Sequence, residues 1–117
     1  MSFSVEFDKK QNVLLVRMSG ELDHHSSEQL KTKWKEQLHN QDIKHVVINL
    51  EMLSFMDSSG LGVILGRYKE VKQIGGEMVV CSISPAVQRL FELAGMFKII
   101  RLEENEKYAL MSLGVAS

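Results

Sequence analysis

The stretch from His45 to Gly76, HVVINLEMLSFMDSSGLGVILGRYKEVKQIGG, decides the fold. Its first part, His45 to Leu50, is β-branched and apolar enough for a strand buried on both faces. Ser58 to Ile74 then sets Leu61, Ile64, Leu65, Tyr68 and Val71 on one side of a helix, and Gly75 and Gly76 end it. A buried strand running into an amphipathic helix is the opening of a βαβ unit, and Met78 to Cys81 supplies its second strand. Upstream, Phe3, Val5 and Phe7 alternate with polar residues, Asp8 to Asn12 is rich in turn formers, and Val13 to Met18 is a second β-type run, which predicts a hairpin ending near Gly20. Ser26 and Gln29 have capping-box spacing, and Leu30, Trp34 and Leu38 follow at i, i+4 and i+8, so a helix is expected before Asn40. Downstream, Ser84 and Pro85 mark the start of a helix running to Gly95. Ile99 to Leu102 is read as a last strand, and Glu103 to Leu113 as a last helix.

A β-hairpin followed by αβαβαβα demands an α/β fold with a mixed, mostly parallel sheet, an antiparallel first strand and about four helices. The length of 117 residues suits one domain spanning 1–117, and no proline-rich or glycine- and serine-rich linker divides it. Apolar residues at 44% and charged residues at 25% are globular proportions, which argues against disorder and coiled coil. Fourteen basic against fifteen acidic residues, with no lysine or arginine cluster, argue against DNA, RNA and anionic membranes as partners. No apolar run is long enough to span a bilayer and the opening MSFSVEFDKK is unlike a signal peptide, so a cytoplasmic protein is expected. The single Cys81 sits in an apolar run and reads as a small buried side chain.

Parallel sheets present functional loops at the carboxyl ends of their strands. The segments GELDHHSS and LSFMDSSGLG follow adjacent strands, so Asp23, His24 and His25 are expected near Asp57, Ser58 and Ser59. Gly60, Gly62 and Gly66 do not have the spacing of a dinucleotide loop, and the better reading is close approach of a helix to another surface. Ser58 lacks the G-x-S-x-G setting and an acid–histidine pair, which argues against acyl transfer; read locally, Asp57 or Ser58 simply caps the helix, and the alternative is a modifiable hydroxyl exposed at the helix start. Asp23, His24 and His25 lack the cysteine or glutamate that would complete a zinc site, so a polar contact loop is expected, with no metal, cofactor or catalytic residue. Met52, Leu53, Phe55 and Met56 are unusually apolar for a loop; most are expected in the core, with Met56, next to the caps, as an exposed, adaptable contact.

NLEMLSFMDSSGLGVILGRYK, with GELDHH before it and IGGEMVVCSISPAVQRLFELAG after it, resembles the STAS-domain anti-anti-sigma factors, and ELDHH and GRYK resemble its sporulation members. The resemblance covers nearly the whole chain. It implies a STAS fold and a regulator of sporulation transcription without catalysis, with Ser58 as phosphoacceptor. Implied partners are an anti-sigma F serine kinase carrying ADP or ATP, which the unphosphorylated form binds to release sigma F, and a PP2C-type serine phosphatase that reverses the modification. Asp23, Met56, Asp57, Ser58, Ser59, Gly60 and Gly62 are then the expected partner-binding residues. The STAS fold also occurs on anion transporters, so a small-ligand or anion-binding module without a phospho-switch is the alternative reading.

Overall fold

The computed structural model of the chain describes residues 2–39 and 42–116, Leu38 and His39 by their backbone alone. β1 (Phe3–Lys10) and β2 (Val13–Leu22) form the antiparallel hairpin, with Lys10 opposite Val13 across Gln11 and Asn12. β2, β3 (His45–Met56), β4 (Met78–Cys81) and β5 (Arg101–Glu103) are parallel, and the sheet order is β1-β2-β3-β4-β5. α1 (His24–His39), α2 (Ser58–Gln73) and α3 (Pro85–Leu93) form the crossovers, and α4 (Glu106–Ser112) follows β5. The chain therefore adopts the α/β architecture expected from its pattern, with a mostly parallel five-stranded sheet and four helices.

Every crossover steps to the next strand in the same direction, and with the hand that parallel connections favour, all three helices fall on one face. That face holds the larger core. Leu30 and Trp34 of α1, Ile64 and Val71 of α2, and Val87 and Phe91 of α3 pack on Leu14, Val16, Val46, Ile48 and Val80. The other face is covered by α4, whose Ala109 and Leu110 lie with Val13, Leu15, Val47, Val79 and Cys81. Burial on both sides is why β3 and β4 begin as continuous apolar runs, whereas β1, at the edge, alternates. Cys81 is fully buried, and desolvation pushes its thiol up to about 11, which keeps it a packing residue.

Several boundaries move from their expected places, each for a physical reason. β2 continues past Gly20 to Leu22, and β3 past Leu50 to Met56, because register shifts at Arg17/Ser19 and Gly20/Glu21 let the ladder resume after each interruption. Gly20 has φ 90°, and a Cβ there would lie 2.2 Å from the Ser2 carbonyl oxygen, so only glycine fits this bulge. α1 starts at His24, and its cap pairs Asp23 with Ser26 in place of Ser26 with Gln29; Asn40, its expected limit, lies outside the described residues. Ser84 occupies the N-cap position of α3, but its hydroxyl donates to the Leu53 carbonyl (3.3 Å) and caps nothing. α3 stops at Leu93, Gly95 takes φ 72°, and a 3₁₀ turn over Met96–Lys98 buries Met96 and delivers Ile100 to the core, which delays β5 to Arg101. α4 begins at Glu106 because Asn105 accepts the Tyr108 N–H (3.0 Å) and caps it.

A short helix docks on a sheet face weakly unless something anchors it. Glu106 is that anchor. Its carboxylate accepts from Arg17 Nε (2.6 Å) and Nη2 (3.0 Å) and from Asn49 Nδ2 (2.8 Å), tying α4 to β2 and β3. Arg17 also reaches Glu6 Oε1 on β1 (3.3 Å). The Arg17 hydrogen bonds hold the Glu106 carboxyl below the usual glutamate range against the opposing effect of burial. Its folded-state pKa therefore lies below its unfolded one, so the stabilisation is complete above the unfolded value and is lost as pH falls through the folded one. Glu106→Gln is expected to lower unfolding free energy at pH 7 by about 1–3 kcal/mol. Urea titrations at pH 7 and pH 3.5 should show the difference between variant and parent shrinking at the lower pH.

Candidate functional site

The last rungs of the β2–β3 ladder, Glu21 opposite Phe55 and Leu22 opposite Met56, release the chain from the sheet at two neighbouring points. The Asp57 N–H donates to the Leu22 carbonyl (3.2 Å), and α1 and α2 start side by side. Each is preceded by an aspartate. Asp23 Oδ1 accepts the Ser26 N–H (2.9 Å), and the Asp23 N–H donates to Ser26 Oγ (2.9 Å), a reciprocal cap. The Ser26 N–H holds the Asp23 carboxyl below the usual carboxylate range, with the Ser26 hydroxyl adding to the effect. Asp57 Oδ1 accepts from Ser59 N (2.9 Å) and Gly60 N (3.3 Å). Asp57 is therefore the cap of α2, and Ser58 is the first helical residue.

Ser58 is exposed, and among the described residues its hydroxyl makes no hydrogen bond. Ser59 is half-buried, and its Oγ lies 3.2 Å from Nδ1 of His24, the first residue of α1. Gly60 is buried against the residues that end the two strands; a Cβ would sit 2.8 Å from Leu22 Cδ2 and 2.8 Å from Met56 Cγ. Asp23, Asp57, Ser58, Ser59 and Gly60 thus come together at one edge as the topology implied.

One expectation for this edge is corrected. Met56 is not an exposed contact. It is 6% exposed, because β3 continues to this residue and its side chain turns into the core beneath Gly60. The exposed apolar residues are its neighbours Met52, at 68%, and Phe55, at 44%. Sequence reading missed them because register shifts in the β2–β3 pairing interrupt the simple alternation. The close approach expected of the α2 glycines holds within the chain for Gly60 alone. A Cβ on Gly62 or Gly66 would meet nothing within 4 Å among the described residues. Both line a shallow groove between α1 and α2, about 390 Å³ in volume, with Ser27, Lys31 and Arg67. Arg67 Nε lies 2.9 Å from Glu70 Oε1, but its N–H is not aimed at that oxygen and makes no hydrogen bond among the described residues. No group of three or more His, Cys, Asp or Glu among the described residues is arranged to hold a metal ion, and no helix is long and apolar enough to cross a membrane.

An α/β domain whose parallel strands end in two capped helices, with a bare serine at the start of one, matches the family model described as STAS domain over residues 4–109, and the chain belongs to that family, in its anti-sigma factor antagonist branch. It is 48% identical to an anti-sigma F factor antagonist of Paenibacillus polymyxa over 117 residues, which is 100% of both chains. Among solved structures it is similar to the anti-sigma factor antagonist SpoIIAA in its unphosphorylated form, at 30% identity and TM-score 0.73, over 97% of this chain and 98% of that one. It is also similar to the Bacillus cell fate determinant SpoIIAA in the phosphorylated form, at 30% identity and TM-score 0.71, over 96% of this chain and 99% of that one.

The three glycines separate in a stability series. Replacing a helical glycine by alanine favours the helix by about 1 kcal/mol where space is open. Gly62→Ala and Gly66→Ala should each raise unfolding free energy by about that amount. At Gly60 the added methyl overpacks Leu22 and Met56, a cost of about 1–3 kcal/mol, so Gly60→Ala should be net destabilising in the same urea titrations. Asp57→Ala should cost about 1 kcal/mol as the cap is lost.

Proposed function

We propose that this chain is an anti-sigma factor antagonist that controls sporulation transcription by exchange of partners. Unphosphorylated, it docks its Asp23–Asp57 edge on an anti-sigma F serine kinase carrying ADP or ATP, and the sigma factor held by that kinase is released. Phosphorylated on Ser58, it no longer docks, and a PP2C-type serine phosphatase returns it to the docking form. The chain acts by binding and performs no catalysis of its own.

The observation that carries this reading is Ser58 itself, an exposed serine at the first position of a helix, with an unengaged hydroxyl and a cap supplied by its neighbour. Such a hydroxyl is open to modification at no cost to the fold, because Asp57 does the capping. Full-length likeness to an anti-sigma F factor antagonist, and likeness to SpoIIAA in both unphosphorylated and phosphorylated forms, supports the same reading. The docking surface comprises Asp23, Asp57, Ser58, Ser59 and Gly62, with Gly60 and Met56 holding its shape from beneath. Gly62 supports it in another way. Neither it nor Gly66 is required by packing among the described residues, so the helix propensity they forfeit finds its reason in an approaching partner. Asp23 is suited to a basic residue on the kinase.

The energetics favour a switch at the interface over a change of fold. The α2 N-terminus favours a phosphate at an exposed position by about 0.3–1 kcal/mol, and adjacent Asp57 opposes it by a similar amount. Stability should barely move. In a docked interface the same dianion is desolvated or meets like charge, and about 3 kcal/mol of penalty already weakens binding more than a hundredfold.

Ser58→Ala is therefore expected to unfold within about 0.5 kcal/mol of the parent and to keep its affinity for the kinase. Calorimetric titration of the kinase with parent, Ser58→Ala and Ser58-phosphorylated protein checks this. The phosphorylated form should bind at least a hundredfold more weakly, and a folded Ser58→Ala protein that does not bind overturns the reading.

A further inference from the structure

We propose that His24 selects between the two adjacent serines, engaging the hydroxyl of Ser59 in the α1–α2 groove so that Ser58 alone is the phosphoacceptor. This rests on the docking reading above and adds a specificity-determining residue to it.

A kinase poised over this edge meets two hydroxyls one residue apart. Both belong to small side chains in the first turn of α2, and the backbone geometry is common to both. What differs is where each side chain lies. Consecutive helical residues point about 100° apart, which leaves Ser58 exposed and brings Ser59 into the groove between the two helices. There, Ser59 Oγ is 3.2 Å from His24 Nδ1. The backbone that carries the ring is held in place because His24 opens α1, and the reciprocal Asp23–Ser26 bonds fix that end of the helix. The Asp57 side chain, in turn, accepts the Ser59 N–H and fixes the other partner.

A serine hydroxyl has one proton to give and two lone pairs to offer. With the imidazole proton on Nε2, Ser59 donates its proton to Nδ1. With the proton on Nδ1, the ring donates to a lone pair of Ser59 Oγ. Phosphoryl transfer from a nucleoside triphosphate needs both features of the acceptor. An oxygen lone pair forms the new O–P bond as the bond from the terminal phosphorus to its bridging oxygen breaks. The nucleoside diphosphate leaves with that electron pair, and the hydroxyl proton passes to a base of the kinase. In either tautomer the bond aims the Ser59 hydroxyl at His24 within the groove, and the hydroxyl must both break that bond and turn out of the groove before it can react. Ser58 has neither obstacle.

The test is site-resolved phosphorylation by purified anti-sigma F serine kinase and ATP, read as the ratio of Ser59 to Ser58 phosphate by peptide mass spectrometry. The ratio is read because His24 borders the docking edge and its substitution changes docking for both serines alike. His24 is exposed, so its replacement leaves the core intact. The parent should carry phosphate on Ser58, and Ser58→Ala should carry essentially none. His24→Ala should raise the Ser59 to Ser58 ratio about tenfold, on the scale of one lost hydrogen bond. The double variant His24→Ala with Ser58→Ala should take phosphate on Ser59. His24→Asn places an amide oxygen where Nδ1 stood and should restore the parental ratio. An unchanged ratio in His24→Ala overturns the selection role while leaving the docking reading intact. Loss of all labelling in His24→Ala also overturns it, assigning the ring to docking. A parent protein that takes no phosphate on Ser58 overturns the docking reading first.

Discussion

β2 and β3 stay paired beyond the continuous apolar runs with which they begin, to the rung that joins Leu22 to Met56. The candidate site depends on that extension. If the two strands parted near Met18 and Leu50, where their apolar patterns stop being regular, the connections to α1 and α2 would leave the sheet independently as separate loops. Because the ladder resumes after each register shift, both chains turn at adjacent points, and the Asp57 amide bonds back to Leu22. Gly20 makes the resumption possible, since any side chain there would collide with the Ser2 carbonyl, and Gly60 lets α2 settle onto the last rung.

The result is a pair of helix N-termini, each with its own aspartate. A helix start carries unpaired N–H donors and a partial positive charge, and a capping carboxylate answers both. Asp23 and Asp57 thus spend their charge locally, which lets two acidic residues sit close together. A phosphate added at Ser58 meets an N-terminus whose demand is already partly met, which is why its main effect is expected on a partner and not on the fold. The exposed Met52 and Phe55 add apolar surface on the strand that leads into this edge.

The opposite face of the sheet follows from topology. Three crossovers of one hand stepping one way leave that face to α4, seven residues long. The Arg17–Glu106–Asn49 cluster supplies the polar attachment that so short a helix needs, and it links β1, β2, β3 and α4 through one guanidinium and one carboxylate. The cluster lies under α4 on one face of the sheet, while the candidate site lies at the starts of α1 and α2, which pack on the other, so stability on the α4 side and the proposed docking on the α1–α2 side can be varied separately.

Local chemistry was enough to read the elements and their order. Period-two alternation marked β1, continuous apolar runs marked the strands buried on both faces, and Asp57, Pro85 and the paired Gly75–Gly76 marked helix limits, because each of these signals acts over a few neighbouring residues. The site's composition was legible for the same reason: the ends of two parallel strands had to place Asp23 and His24 near Asp57, Ser58 and Ser59. What the tertiary structure alone decided was everything that depends on a register or a facing surface. The bulge at Gly20 carried β3 to Met56 and buried that side chain, the pairing of strand ends made Gly60 indispensable while leaving Gly62 and Gly66 open, and the abutting of two helix starts engaged Ser59 and left Ser58 free. Residues far apart in the chain meet in those contacts, and no local pattern records the distance between them.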